Sequence, residues 1–282
     1  MLTNRLGLPD AIVKAVLNDP YKSGGDISVT RLIAPPYQRK LRQENVREED
    51  VTDRIWALVG QIGHSILERY KPERGVSEER LYVDRGGWSI SGQFDLLEDG
   101  ILTDFKFTSV WAREGKVEWE RQLNLLRLLC NVRLLLSGDK RYLVNSLQIV
   151  AIYRDWQKSK VGSGTYPDAQ VGVIPIRMWH IDETEAFLDE RIAAHQHPAP
   201  EPCTDEERWK SADVSAVMKG GREKAVRLFD KKEDALNWID QQKDRQGLFV
   251  NVRAGSFRRC ESYCDVSHVC PVWKQVVDGS PF

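Results

Sequence analysis

Apolar residues at positions 55, 58, 59, 62 and 66 of DVTDRIWALVGQIGHSILERYK recur at a helical period, predicting a helix from Asp50. Thr52 or Asp53 is placed to cap it, and Pro72 ends it. Residues 80–110, RLYVDRGGWSISGQFDLLEDGILTDFKFTSV, switch to alternation and predict a β-meander turning at Arg85-Gly86-Gly87 and Asp99-Gly100. VEWERQLNLLRLLCNVRLLLSG is a second helix, stopped by Gly138. LVNSLQIVAIYRDW and VGVIPIRMWHI read as two more strands, joined by the flexible loop KSKVGSGTYPDAQ and followed by the helix DETEAFLDERIAAHQH. Residues 1–50 hold short elements broken at APPY. PAPEPC marks a boundary, beyond which the pattern is strand, Gly-Gly hairpin, strand, helix, strand.

The Asp99-Gly100 turn fixes a register by counting outward: Glu98 with Ile101, Leu97 with Leu102, Leu96 with Thr103, Asp95 with Asp104. Lys106 shares the face of the two aspartates, while Phe94, Leu96, Phe105 and Phe107 point the other way. Like charges directly opposite destabilise a sheet, so a cation is expected between them. On the first helix, His64 falls opposite the apolar stripe, beside Ala57, Gly60 and Glu68. Small neighbours there allow another element to approach closely.

At 282 residues, 41% apolar and 29% charged, the chain can form one good-sized core plus an appended module. No apolar run approaches membrane-spanning length and no leader pattern opens the chain, so a cytoplasmic location without membrane association is expected. A net charge of −1 leaves nucleic-acid binding to local patches. Arg31, Arg39, Lys40 and Arg42 form one such stretch, readable as a DNA contact or as a solvated loop. Five cysteines in such a compartment do not suggest disulfides. Cys130 lies in an apolar helical run and reads as core, whereas Cys260, Cys264 and Cys270 crowd together with Cys203 upstream.

Four pieces in order, Gly60-x-x-x-His64, Gly92-x-x-Asp95, Asp104-x-Lys106 and a helix with QLNLL, resemble the PD-(D/E)XK nucleases. The closer resemblance is to RecB-like exonucleases, whose relatives include CRISPR-associated and phage recombination nucleases. ISVTRLIAPPYQRKL and IWALVGQIGHSILE are similar to that family's opening segments. The resemblance implies an α/β fold with a restriction-endonuclease-like core, a mixed central sheet flanked by helices, and a small ββαβ insert. It divides the chain into a nuclease core (1–203), the insert (204–258) and a cysteine tail (259–282) packing on the core.

Carried over by position, the resemblance implies that His64, Asp95, Asp104 and the backbone carbonyl of Phe105 hold Mg²⁺ or Mn²⁺, with Glu68 as an outer or second-metal group. It makes Asp95, Asp104, Lys106 and Gln122 the catalytic set, Lys106 orienting water and stabilising phosphate charge. The family's Gln-x-x-x-Tyr appears here as Gln122 to Leu126, so the tyrosine is missing. Cys203, Cys260, Cys264 and Cys270 resemble the cysteines of its iron–sulfur branch, which hold a [4Fe–4S] cluster, although CESYC is one residue longer than the usual spacing. Structural zinc and no metal remain alternatives, and His268 is a candidate substitute for Cys203.

The implied activity is metal-dependent exonucleolytic hydrolysis of DNA at ends or single strands, in recombination, repair or processing. The implied partners are DNA and a single-strand annealing or other recombination protein. The rival is a non-catalytic DNA-binding recombination partner that kept the scaffold. The basic first hairpin of the insert (Lys219, Arg222, Lys224, Arg227) reads equally as a DNA guide or as decoration.

Overall fold

The computed structural model describes residues 2–18, 24–45, 49–112 and 114–279. It begins with β1 (Leu2–Thr3), α1 (Asp10–Leu17), β2 (Ile27–Ser28), α2 (Val29–Leu32), α3 (Pro36–Glu44), β3 (Glu49–Asp50) and α4 (Ile55–Leu67). The meander follows as β4 (Gly75–Ser77), β5 (Arg80–Arg85), β6 (Trp88–Gln93), β7 (Leu96–Glu98) and β8 (Ile101–Thr108). Next come α5 (Val117–Ser137), β9 (Ser146–Tyr153), β10 (Val171–Ile176) and α6 (Ile181–Gln196). The chain then forms β11 (Val214–Lys219), β12 (Arg227–Phe229), α7 (Lys232–Asp240), β13 (Leu248–Arg253), α8 (Arg258–Ser262) and α9 (Pro271–Asp278). The fold is α/β, in two compact units: 1–34 with 46–200, and 35–45 with 201–282.

In the first unit a five-stranded sheet runs β10-β9-β8-β7-β4, with β8 and β9 parallel and the other pairs antiparallel. A three-stranded sheet, β2-β6-β5, accompanies it. The β7–β8 register is the expected one from Leu96–Thr103 to Glu98–Ile101, but the ladder ends there and does not include the expected Asp95–Asp104 pair. Asp99 (φ 48°) and Gly100 (φ 79°) both take the left-handed conformation that a two-residue hairpin turn demands. Helix α5 buries Leu123, Leu125, Leu126, Leu129 and Cys130, each at most 1% exposed. Each such leucine stabilises the fold by about 1.5–3 kcal/mol. The helix ends, as expected, where Gly138 turns left-handed and its N–H bonds the Leu134 carbonyl.

One expectation for α4 is corrected. Its approach is capped by Asp50, not Thr52 or Asp53: the Asp50 carboxylate accepts from Thr52 N, and Asp53 accepts from Asp50 N. Its apolar stripe does not face the core, since Val59, Ile62 and Ile66 are all exposed. The helix docks instead on the side of His64, which meets the Phe107 ring edge-on at 5.9 Å. Close approach there is granted by Gly63, where a Cβ would lie 2.0 Å from Phe107 Cζ, while Gly60 faces open space. The loop expected to be flexible is tied down by Trp156 Nε1 donating to the Pro167 carbonyl (2.8 Å) and Gln157 N donating to Tyr166 Oη (2.7 Å).

The second unit contains the expected strand–hairpin–strand–helix–strand, as an antiparallel sheet β12-β11-β13 with α7 against it. Phe229 and Trp238 meet with ring centroids 6.1 Å apart. It also contains α3, whose Arg42 forms a two-pronged pair with Asp265 (both contacts 2.8 Å) and whose Gln38 donates to the same carboxylate. Among the described residues no helix is long and apolar enough to cross a membrane.

Candidate active site

A cleft of about 410 Å³ in the first unit is lined by His64, Asp95, Asp104, Lys106 and Gln122, with Arg31, Arg80 and Leu126 on its walls. The hairpin brings the two aspartates in, both nearly buried at 6% and 3% exposure. Phe105 contributes its backbone amide, which donates to Asp95 Oδ2 at 2.7 Å and fixes that carboxylate. Lys106 Nζ sits 2.5 Å from Asp104 Oδ2. Gln122, reaching in from α5, closes the arrangement: its amide nitrogen donates to Asp104 Oδ1 (3.0 Å) and its oxygen accepts from Lys106 Nζ (3.3 Å).

The sequence reading missed Glu78. His64, Glu78 and Asp95 each offer a ligand atom, and these atoms all lie within 4.8 Å of one another. Glu78 sits between β4 and β5 with φ 55°, an uncommon conformation for a glutamate. Its N–H donates to the Asp95 carbonyl (3.0 Å), and its carboxylate accepts from Gln93 Nε2 (2.9 Å). Arg80 in turn donates to Gln93 Oε1 (3.0 Å). Glu68 ends α4 in an exposed position outside this group. The available signal was the Ser-Glu-Glu turn before β5, which has no periodicity to mark it.

Burial dominates the electrostatics. It pushes the Asp95 carboxyl up to about 8, helped by the Asp104 charge and opposed by the Phe105 amide and Lys106. It raises Glu78 as well, against the pull of Gln93. It lowers His64, so that ring is a neutral donor near pH 7. His64 Nδ1 is buried without a hydrogen bond, 3.6 Å from Asp95 Oδ1, whereas Asp104 Oδ2 is held by the Lys106 ammonium. Hard carboxylate oxygens and a neutral imidazole whose nitrogen is left open in a cleft fit a divalent cation.

Leu126, standing where the resembled motif has tyrosine, is core: a Cβ on Gly92 would come within 2.5 Å of its Cδ2. The basic stretch divides between the units. Arg31 lines the cleft, whereas Arg39, Lys40 and Arg42 belong to α3 in the second unit. There Lys40 pairs with Glu44 (3.6 Å), and Arg42 is committed to Asp265 rather than free for phosphate.

Cys203, Cys260, Cys264 and Cys270 line a small cavity of about 30 Å³ in the second unit, with Gln38 and Tyr37. Burial pushes the Cys203 thiol up to about 12 and also raises Cys260 and Cys264. Among the described residues the three-ligand group within 4.8 Å is His64–Glu78–Asp95, so no three of these sulfurs are that close. Cys130 is fully buried in the core of the first unit, as expected. His268 does not line the cavity.

No family model matches the sequence, and no curated protein matches it. A solved structure, described as the crystal structure of SSO0001, is similar over 70% of this chain and 87% of its own, at 14% identity and a TM-score of 0.45.

Proposed function

We propose that this chain is a metal-dependent DNA exonuclease with a PD-(D/E)XK core of the RecB-like kind. The observation that carries this reading is the cleft in which Lys106 lies against Asp104, both held by Gln122, beside the His64–Glu78–Asp95 group. His64, Asp95, Asp104 and Glu78 would hold Mg²⁺ or Mn²⁺. Bound there, the cation supplies Lewis acidity toward a phosphoryl oxygen and toward water. Asp104 and Gln122 aim the Lys106 ammonium, which orients the attacking water and meets charge building on the phosphate. Arg31 and Arg80 on the cleft wall offset the charge of the phosphodiester backbone. Four thiols around one cavity suit a [4Fe–4S] cluster with a structural role, and structural zinc is the alternative. Iron and sulfide analysis of anaerobically purified protein tests that assignment.

The test of the activity is digestion of end-labelled single- and double-stranded DNA with Mn²⁺, Mg²⁺ or EDTA, alongside Asp104→Ala and Lys106→Ala. Metal-dependent cleavage lost in both variants is expected. A wild-type protein that binds DNA but never cleaves it would replace this reading with the non-catalytic recombination partner. The rival's support is Leu126, on the cleft wall where the resembled motif has tyrosine; Asp95, Asp104 and Lys106, all present in the same cleft, favour catalysis.

A further inference from the structure

Two tryptophans stand in solvent while others are packed away. Trp119 and Trp179 are 6% and 8% exposed, but Trp56 and Trp111 are 64% and 79% exposed. Singly exposed apolar residues are ordinary; two exposed indoles joined through one short stretch of sheet are not. Both stand on elements that build the candidate active site. Trp56 lies two turns before His64 on α4, about 12 Å along the helix axis. Trp111 follows the end of β8, the strand that carries Asp104 and Lys106.

Their exposure is held in place. Trp111 sits in a single 3₁₀ turn whose flanking residues Val110 and Ala112 are 3% and 7% exposed, so the turn is anchored on both sides and drives the indole outward. Asp155 locks the turn, accepting from Ser109 Oγ (2.6 Å) and Val110 N (2.8 Å). The adjacent Arg154 donates its N–H to the Thr108 carbonyl (2.9 Å) and lays its guanidinium over the Trp56 ring at 4.2 Å. The ends of β8 and β9 thus gather an indole and a guanidinium stacked on an indole, at the end of the strand that carries Asp104 and Lys106.

We propose that Trp56, Arg154 and Trp111 form a stacking platform for unpaired nucleobases, so that the substrate is delivered to the cleft as a single strand. The proposal rests on the nuclease reading for what happens in the cleft, but its binding step does not. Flat π-faces accept any base, and a cation beside them suits a chain carrying a phosphate per base. Bases inside a duplex are already stacked and offer no free face, so the platform discriminates against paired DNA. Occupation by a second copy of this chain is the competing use of the same surface.

The experiment measures binding without cleavage. Fluorescence anisotropy of a labelled mixed-sequence single strand and of the matching blunt duplex is recorded in EDTA for wild type, Trp56→Ala, Trp111→Ala, Trp56→Phe and Trp111→Phe. Each alanine variant should weaken single-strand binding by about 5- to 150-fold. The phenylalanine variants should keep most of the affinity, duplex binding should not change, and single strands should quench wild-type tryptophan fluorescence. Single-strand affinity unchanged in both alanine variants overturns the platform, as does a wild type that binds no single strand. A change of oligomeric state in sedimentation with unchanged affinity per protomer also overturns it, in favour of self-association. Tryptophan-dependent binding by a wild type that never cleaves leaves the platform standing and defeats the nuclease reading alone.

Discussion

Gly60 and Gly63 are three residues apart on α4, and the structure assigns them opposite roles. A Cβ at Gly60 meets nothing within 4 Å; one at Gly63 would lie 2.0 Å from Phe107 Cζ. Alanine is favoured over glycine in a helix interior by about 0.8–1 kcal/mol at either position, so that contribution cancels between Gly60→Ala and Gly63→Ala. What remains is the packing cost. Reaching an ordinary 3.4 Å contact requires about 1.4 Å of separation between helix and ring, and overpacking of this kind costs about 1–3 kcal/mol. His64, next to Gly63, lies 3.6 Å from Asp95, so a shift of that size also moves an imidazole out of ligand range. Gly60→Ala should melt slightly higher than wild type with unchanged Mn²⁺ affinity. Gly63→Ala should melt several degrees below Gly60→Ala and bind Mn²⁺ at least tenfold more weakly by isothermal titration calorimetry. Equal Mn²⁺ affinity in the two variants would refute the claim that α4 docks through Gly63, and would restore Gly60 as the glycine that matters.

Glu78→Gln keeps the shape and the Gln93 contact but removes a charge, so Mn²⁺ affinity should fall about 10- to 100-fold, while Glu68→Gln should leave it nearly unchanged. Titration calorimetry of the two variants decides between these carboxylates. Burial raises the Asp95 pKa in the folded chain, so between the ordinary carboxylate range and about pH 8 the folded state binds a proton that the unfolded state has lost. Stability of metal-free protein should therefore fall as pH rises through that window, and added Mn²⁺ should stabilise more at its upper end; a flat melting profile in EDTA would contradict this. Cys264→Ser should remove iron and visible absorbance from anaerobically purified protein. Colourless wild type carrying stoichiometric zinc would sink the cluster.

Much of the cleft was legible because its geometry is local. Asp99-Gly100 admits a two-residue turn, and the turn alone sets which residues face each other, so Asp95, Asp104 and Lys106 followed by counting. Gln122 followed from the resemblance of its helix segment QLNLL to the family's Gln-x-x-x-Tyr, not from any periodicity. The docking face of α4 was legible from the small residues beside His64, but the glycine that grants the approach is Gly63 rather than Gly60. This helix docks through a glycine, an imidazole and a ring while its aliphatic stripe stays outside. Glu78 escaped because a left-handed turn brings it in, through a backbone bond to Asp95 that no periodicity announces. The recruitment of α3 to the second unit depends on Asp265, more than two hundred residues away in the chain, and no local pattern carries that information.

That recruitment has a consequence for biosynthesis. Helix α3 leaves the ribosome early, yet its covering partners begin at residue 201. At about 5–20 residues per second, the roughly 160 intervening residues take about 8–30 s to appear. Through that interval Gln38 and Arg42 lack the Asp265 carboxylate that they bond in the finished protein. A chain cut at the PAPEPC boundary would never supply it. The first unit therefore cannot be excised cleanly by shortening the C-terminus, because α3 would remain attached as an unsatisfied segment. A fragment designed to carry only the first unit must also replace residues 35–45 with a short linker.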